Sequence, residues 1–394
     1  MNSERMRVAI DGRALQPGFR EHQGRGIGVY AVELVRALAR RGDLELTLWH
    51  QPELPLPAEH VPAGVRVRAY PRLNVPRRDR IAMLTTVPAS VRGSDHDLFH
   101  FLSHTDAPAW HCRGVVITVH DLILEMMASL YSARRPIEFR VFRALERRAL
   151  SHAESVVTDS AVTRQDVVTR HRREAATVHV AHLGLHPRFV PPPPEVLAEL
   201  RARLGLERAF VLYLGGIDAR KNAAGLLRAY ARLVAELDDA PDLVIAGRVR
   251  EAVEYPALAA LARGLGIESR LRLPGFVPDQ DLPALHGAAR VFAFPSLYEG
   301  FGFPPLEAMA CGTPVVSSGG GSLAEVLGDG ALVVPAGDEG ALADGLRRTL
   351  AEEPLRRELR ARGLANAARF TWERTAEATV VAYRDAMTRR RSAR

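Results

Sequence analysis

Short apolar, β-branched runs alternate with longer amphipathic stretches along the chain, and past a run of four prolines the alternation starts again. In the first half, Arg7-Val8-Ala9-Ile10, Leu44–Trp49, Asp97–Phe101, Gly114–Val119 and Ser155–Thr158 read as strands. Between the first two, the Gly-rich segment Gly24-Arg25-Gly26-Ile27-Gly28 leads into an amphipathic helix from Val29 to Ala39. After Pro191-Pro192-Pro193-Pro194, strands are predicted at Ala209–Leu214, Leu243–Ala246, Leu271–Leu273, Val291–Phe294, Pro314–Ser317 and Leu332–Val334. A helix is predicted over Asn222–Leu237 and a last one over Trp372–Met387. Four prolines continue neither a helix nor a central strand, so they read as a stiff linker. The expected fold class is therefore α/β, with two Rossmann-like doubly wound domains facing a cleft. Residues 1–190 form the first and 191–371 the second, and a helix over 372–394 is expected to pack back on the first. A chain of 394 residues can bury two such cores. Ligands of these sheets bind at the carboxyl ends of the strands, so chemistry is sought there.

Charge narrows the partners. The net charge of +7 comes wholly from residues 1–190; beyond them acids and bases balance. Arg134-Arg135, Arg147-Arg148 and Arg170-His171-Arg172-Arg173 form basic clusters in the first half. They read either as solvated helix faces or as a surface for phospholipid or an anionic lipid-linked acceptor. No motif interleaves them with aromatics, so nucleic acid is not expected as a partner. No apolar run approaches the roughly 18 residues of a membrane span. The opening Met1-Asn2-Ser3-Glu4-Arg5 lacks a signal-peptide core, which predicts a cytoplasmic protein, either free or peripheral at the inner membrane face. Cys112 and Cys311 lie far apart without zinc spacing and read as two buried thiols in a reducing compartment.

Of the 53 basic residues, Lys221 is the only lysine. Arginine serves everywhere a plain positive charge suffices, so the site that keeps lysine calls for a compact ammonium. It lies in Leu214-Gly215-Gly216-Ile217-Asp218-Ala219-Arg220-Lys221-Asn222, where a strand ends in glycines and a basic pair opens a helix. A departing diphosphate needs its growing charge neutralised, and a lysine at a helix N-terminus does this without a metal.

A second segment is Glu299-Gly300-Phe301-Gly302-Phe303-Pro304-Pro305-Leu306-Glu307, between a strand and a helix. Gly300 and Gly302 let the backbone approach a ligand and expose consecutive N–H groups. Pro304 or Pro305 is expected to begin the helix, whose N-terminus then forms an anion site suited to a diphosphate. Glu307 is placed in the first helical turn, where it either stabilises the helix dipole or binds a ribose diol. Glu299, ahead of the glycines, is placed to hold sugar hydroxyls.

These segments resemble those of the family 4 glycosyltransferases, retaining enzymes of the GT-B fold with an E-x7-E signature. Glu307-Ala308-Met309-Ala310-Cys311-Gly312-Thr313-Pro314-Val315-Val316 extends the likeness. The resemblance implies that Glu299 contacts the donor sugar and Glu307 the ribose. It places the backbone of Phe301, Gly302 and Phe303, with Leu306 beside them, near sugar and diphosphate, and puts Lys221 on the diphosphate. Many members carry an arginine just after the first glycine of the lysine motif, where this chain has Gly216. The Arg220-Lys221-Asn222 run is similar to an "RKN" subgroup, leaving Arg220, or Arg248 in Ala246-Gly247-Arg248, as the second cation. In Val116-Ile117-Thr118-Val119-His120-Asp121 the histidine ends a strand; it is either structural or, as the family's "HD" pair implies, near the transferred sugar. Gly26-Ile27-Gly28-Val29-Tyr30 resembles a "GIGxY" segment near diphosphate and acceptor. Leu273-Pro274-Gly275-Phe276-Val277 resembles the segment whose backbone, at Phe276 and Val277, reads the nucleobase.

The implied activity is metal-independent, retaining transfer of a mannose- or glucose-type hexose from a GDP- or UDP-sugar to a glycan or lipid-linked acceptor, with no cofactor. Asp95-His96-Asp97 and Asp279-Gln280-Asp281 fit a D-x-D metal pattern, but the second reads as a helix start capped by aspartate. The glycines at 24–28 do not form a dinucleotide fingerprint. A glycosidase would set two carboxylates across the scissile bond, whereas Glu299 and Glu307 flank a phosphate-type loop. A GT-B phosphorylase or epimerase, and a non-catalytic sugar-nucleotide-binding partner of a glycan-assembly complex, share the architecture and stay open.

Overall fold

The computed structural model describes residues 5–20, 26–72, 78–127, 136–237, 239–247 and 251–392. They form two compact units, one of Met1–Gly184 with Thr371–Arg394 and one of Leu185–Phe370. Arg248, Gly24, Arg25 and the Arg134-Arg135 pair lie outside the described residues.

The first unit carries strands β1 (Met6–Asp11), β2 (Leu44–His50), β3 (Arg66–Ala69), β4 (Leu98–Phe101), β5 (Val115–Val119), β6 (Ser155–Thr158) and β7 (Val178–Val180). Among the described residues they form one sheet in the order β3-β2-β1-β4-β5-β6-β7, every pair parallel. The second unit carries β8 (Phe210–Leu214), β9 (Asp242–Ala246), β10 (Leu271–Gly275), β11 (Val291–Phe294), β12 (Val315–Ser318) and β13 (Ala331–Val334). Its order is β10-β9-β8-β11-β12-β13, again parallel throughout. The α/β doubly wound class is thus realised in both units.

Parallel strands need crossover helices on both faces, so central strands are apolar on both sides. Accordingly β5, β8 and β9 are buried at every position. Two edge strands had no such signature. All four side chains of β3, Arg66-Val67-Arg68-Ala69, are exposed, and β7 has only three residues.

The divide between the units falls at Gly184/Leu185 and not at the proline run. Pro193 precedes, and Pro194 opens, the helix Pro194–Arg203 of the second unit. A proline is well placed there, because its fixed φ suits the helix and its missing N–H is not needed. The chain returns to the first unit through the helix Trp372–Ser392. Tyr383 Oη meets His100 Nδ1 at 2.8 Å, Ser155 donates to Asp385 at 2.8 Å, and Trp372 packs 6.3 Å from Tyr30.

In each sheet the strand order reverses once, beside β1 and β4 in the first unit and beside β8 and β11 in the second. Crossovers leave in opposite directions from such a pair, which opens a crevice beyond its carboxyl ends. Arg13 and Asp106 follow the first pair in sequence; Lys221 and Glu299 follow the second.

Candidate active site

In the second unit β8 ends at Leu214, and Gly215 N donates to Ala246 O at 3.0 Å, extending the pairing with β9. Gly247 adopts φ 142°, and a Cβ there would strike the Gly215 carbonyl; the glycine directly after β9 lets two strand ends meet. A Cβ on Gly216 would make only an ordinary contact, 3.6 Å from Asp218 Oδ2, so nothing next to the backbone excludes a side chain there. Its carbonyl accepts a 2.5 Å bond from Tyr213 Oη. A single 3-10 turn, Ala219–Lys221, is capped by Asp218 and ends at Asn222, which takes the left-handed conformation (φ 55°). Asparagine tolerates that conformation, and its side chain caps Gly225 N of the next helix, Ala223–Glu236.

This turn aims two cations at one carboxylate. Lys221 Nζ lies 2.8 Å from Glu299 Oε1, and Arg220 NH1 lies 2.7 Å from Glu299 Oε2. Arg220 also donates to Tyr298 O at 2.9 Å, and the Lys221 ammonium sits 5.2 Å from the Phe294 ring centroid. Glu299 is only 7% exposed. Burial pushes its carboxyl up, but Lys221 and then Arg220 outweigh that and hold it below the usual carboxylate range. Asp218, 3.6 Å from Arg220 Nε, is far more exposed and is screened by solvent. The buried carboxylate is therefore shared by two cations at the β8/β11 switch point.

The Glu299 backbone is held by a segment with no role in the sequence reading, Gly319-Gly320-Gly321-Ser322. Glu299 and Gly321 form a parallel bridge, and Ser322 donates to Glu299 O from both N (3.0 Å) and Oγ (3.1 Å). A Cβ on Gly320 would meet the Leu297 carbonyl, and one on Gly321, at φ 65°, the Glu299 carbonyl. Three glycines in succession after β12 were the available signal.

The helix after the loop runs from Phe303 to Ala310, with Gly302 at its N-cap in the left-handed region (φ 103°) and no side-chain cap. Phe303, not a proline, is its first residue, and Pro304 and Pro305 follow. Prolines have no N–H, so Gly302 and Phe303 supply the uncommitted backbone donors of this terminus. Phe301 and Leu306 are buried behind them. Glu307 is the fifth helical residue, in the second turn and not the first, so the helix-dipole explanation fails for it. Its Oε2 lies 3.6 Å from Nε2 of the fully buried His286. Beyond β10, Phe276 is 51% exposed while Val277 is buried.

The first unit differs. His120 follows β5, and its side chain is 11% exposed. Nδ1 lies 2.7 Å from Asp159 Oδ2 and Nε2 2.8 Å from Leu102 O, so both ring nitrogens are taken and neither is open to a sugar hydroxyl in this arrangement. Tyr30 packs edge-on at 4.8 Å, brought there by the helix Gly26–Ala39, in which Gly26 is exposed and Gly28 buried. At the β1/β4 switch point, Arg13 makes a two-pronged pair with Asp11 (2.8 Å each) and donates to Asp106 O at 2.8 Å. Arg20 pairs with Asp106 at 2.7 Å. These four were not foreseen, although Asp11-Gly12-Arg13 directly after an apolar strand was a signal.

The two D-x-D triplets are bound to arginines. Asp97 accepts from Arg7 N at 2.9 Å, and Asp281 pairs with Arg203 at 2.7 Å. Asp281 makes no side-chain cap to the helix Leu282–Ala288, contrary to the expected capping role. Cys112 and Cys311 are free and buried.

A two-unit α/β chain with this crevice matches solved GT-B glycosyltransferases across nearly its full length. Sucrose-phosphate synthase from Thermosynechococcus elongatus superposes with a TM-score of 0.73 at 23% identity, covering 96% of this chain and 98% of that one. HepE of Anabaena, in complex with UDP and glucose, superposes with a TM-score of 0.69 at 18% identity, covering 95% and 98%. Residues 24–189 match the model described as Glycosyltransferase Family 4, and residues 198–365 that of Glycosyl transferases group 1. The O-antigen chain mannosyltransferase B of Escherichia coli is 31% identical over 380 residues, spanning 91% of this chain and 96% of its own length. The protein is thus a glycosyltransferase of the GT-B fold. It belongs to glycosyltransferase family 4.

Proposed function

We propose that the enzyme transfers a hexose, of mannose type, from a GDP- or UDP-sugar to a glycan or lipid-linked acceptor, with retention at the anomeric carbon and without a metal ion. The observation that carries this reading is the convergence of Lys221 and Arg220 on Glu299 at the β8/β11 switch point. Two cations held by one buried carboxylate are pre-aimed, so little reorganisation is needed when a diphosphate arrives. The Gly302 and Phe303 N–H groups add fixed dipoles of the same sign. Together they supply the charge that a divalent ion would otherwise bring, and Glu299 stands beside them to accept sugar hydroxyls. Glu307 holds the ribose, and Phe276 and Val277 read the base. Gly216 leaves Arg220 as the second cation.

The mannosyl preference draws on the O-antigen relative and on the Arg220-Lys221-Asn222 run. An acceptor on a membrane-bound lipid fits the helix Pro136–His152, whose Ile137 and Val141 are 76% and 56% exposed, beside Trp110 with Arg148 5.0 Å from its ring. The test is incubation of the purified protein with a panel of sugar nucleotides and acceptors, with chelator throughout. Acceptor-dependent release of nucleoside diphosphate and a product of unchanged anomeric configuration are expected. Tight donor binding without turnover would instead mark a silent binding partner.

A further inference from the structure

We propose that Asp159 is a positioning residue for His120: with the Leu102 carbonyl, its carboxylate holds the ring as a doubly protonated imidazolium, a fixed positive charge at the carboxyl end of β5. The geometry decides this. A backbone carbonyl only accepts, so Nε2, 2.8 Å from Leu102 O, carries a hydrogen. Nδ1 faces Asp159 Oδ2 at 2.7 Å, the length of a charge-assisted N–H···carboxylate bond, so it carries one too. Both partners sit at the ends of regular elements. Leu102 follows β4 directly, and Asp159 sits between β6 and the helix Ala161–Arg170, whose N-cap Ser160 accepts from Thr163 N. Thr163 Oγ1 in turn donates to His120 O at 3.4 Å.

The neighbouring rings are neutral, and the cation stands as the positive half of an ion pair with Asp159. From the helix Gly26–Ala39 comes Tyr30, whose phenol burial keeps neutral and whose hydroxyl is bound to Thr118 at 2.7 Å. From β4 and the turn after it come His100 and His104, both driven down to about 3 by burial and therefore neutral. The Asp121 charge also favours the protonated ring. Burial of His120 itself works against the cation, but Asp159 outweighs it and the ring titrates above its ordinary value.

A histidine in this state neither takes a proton from the acceptor nor cycles during turnover; it contributes charge. The link to catalysis rests on the transferase reading above, whereas the charge state of the ring does not. The experiment is 15N NMR of the full chain labelled at its 14 histidines, with the His120 signal assigned by its loss in His120→Gln. At about pH 7.5, above the ordinary histidine value of ~6.5, the wild type should show one ring with both nitrogens protonated. Asp159→Asn should convert it to a neutral ring, and Asp159→Glu should restore the cation. In parallel, kcat of Asp159→Asn should fall on the order of 100-fold at that pH and recover in part on acidification, with the donor KM little changed. A neutral His120 in the wild type, or an Asp159→Asn enzyme with an unaltered pH profile, overturns the proposal. A protein that shows the imidazolium but turns over no donor would sink the transferase reading and still support the role of Asp159.

Discussion

The two units use one sheet design and treat its crevice in opposite ways. At the β1/β4 switch point each cation has its own carboxylate: Arg13 is bound at 2.8 Å to both Asp11 oxygens and to the Asp106 carbonyl, and Arg20 pairs with Asp106. At the β8/β11 switch point two cations share one carboxylate, and an uncapped helix terminus follows. A crevice alone does not make an anion site. What matters is whether its charges are balanced within the fold or left poised for a ligand.

The sharpest way to break that comparison is Lys221→Ala. Removing the ammonium should lower transfer on the order of 10²–10³-fold while thermal unfolding changes little. An active variant would show that Arg220 and the backbone dipoles suffice. Glu307→Ala should weaken nucleotide binding about 10–100-fold by calorimetry, the loss expected for a hydrogen bond to a charged group. Unchanged affinity would leave Glu307 only its contact with His286. Gly321→Ala should destabilise the second unit by about 1–3 kcal/mol in denaturant titration, because its φ of 65° is strained for alanine and the Glu299 carbonyl blocks a Cβ. The smallest effect is on pH dependence. The folded Glu299 carboxyl titrates below its unfolded value, so its stabilising contribution is present above the unfolded value of about 4.3 and is lost as pH falls through the folded one. The stability gap between wild type and Glu299→Gln should therefore narrow on acidification below about pH 4.

Legibility followed distance along the chain. The Lys221 turn and the 299–307 loop were readable because each is one strand–turn–helix segment whose glycines, prolines and charges act locally. Their meeting, across 78 residues, was expected only through a family likeness. Asp159 on His120, 39 residues away, and Arg13 on Asp106, 93 away, had no local signature, since each partner alone is an ordinary polar residue after a strand. The proline run misled because it is compatible with a linker and with a helix start alike, and packing decided for the latter. The strand β3 was hidden by its arginines, which sit on an exposed edge where no apolar pattern is required.

The most direct test of the central claim is calorimetric titration of UDP and GDP into the protein with excess chelator, repeated with Lys221→Ala. One of the two nucleotides should bind without any divalent ion, and the substitution should weaken it at least about tenfold. Binding that appears only on adding magnesium, or that ignores the loss of Lys221, would contradict the account.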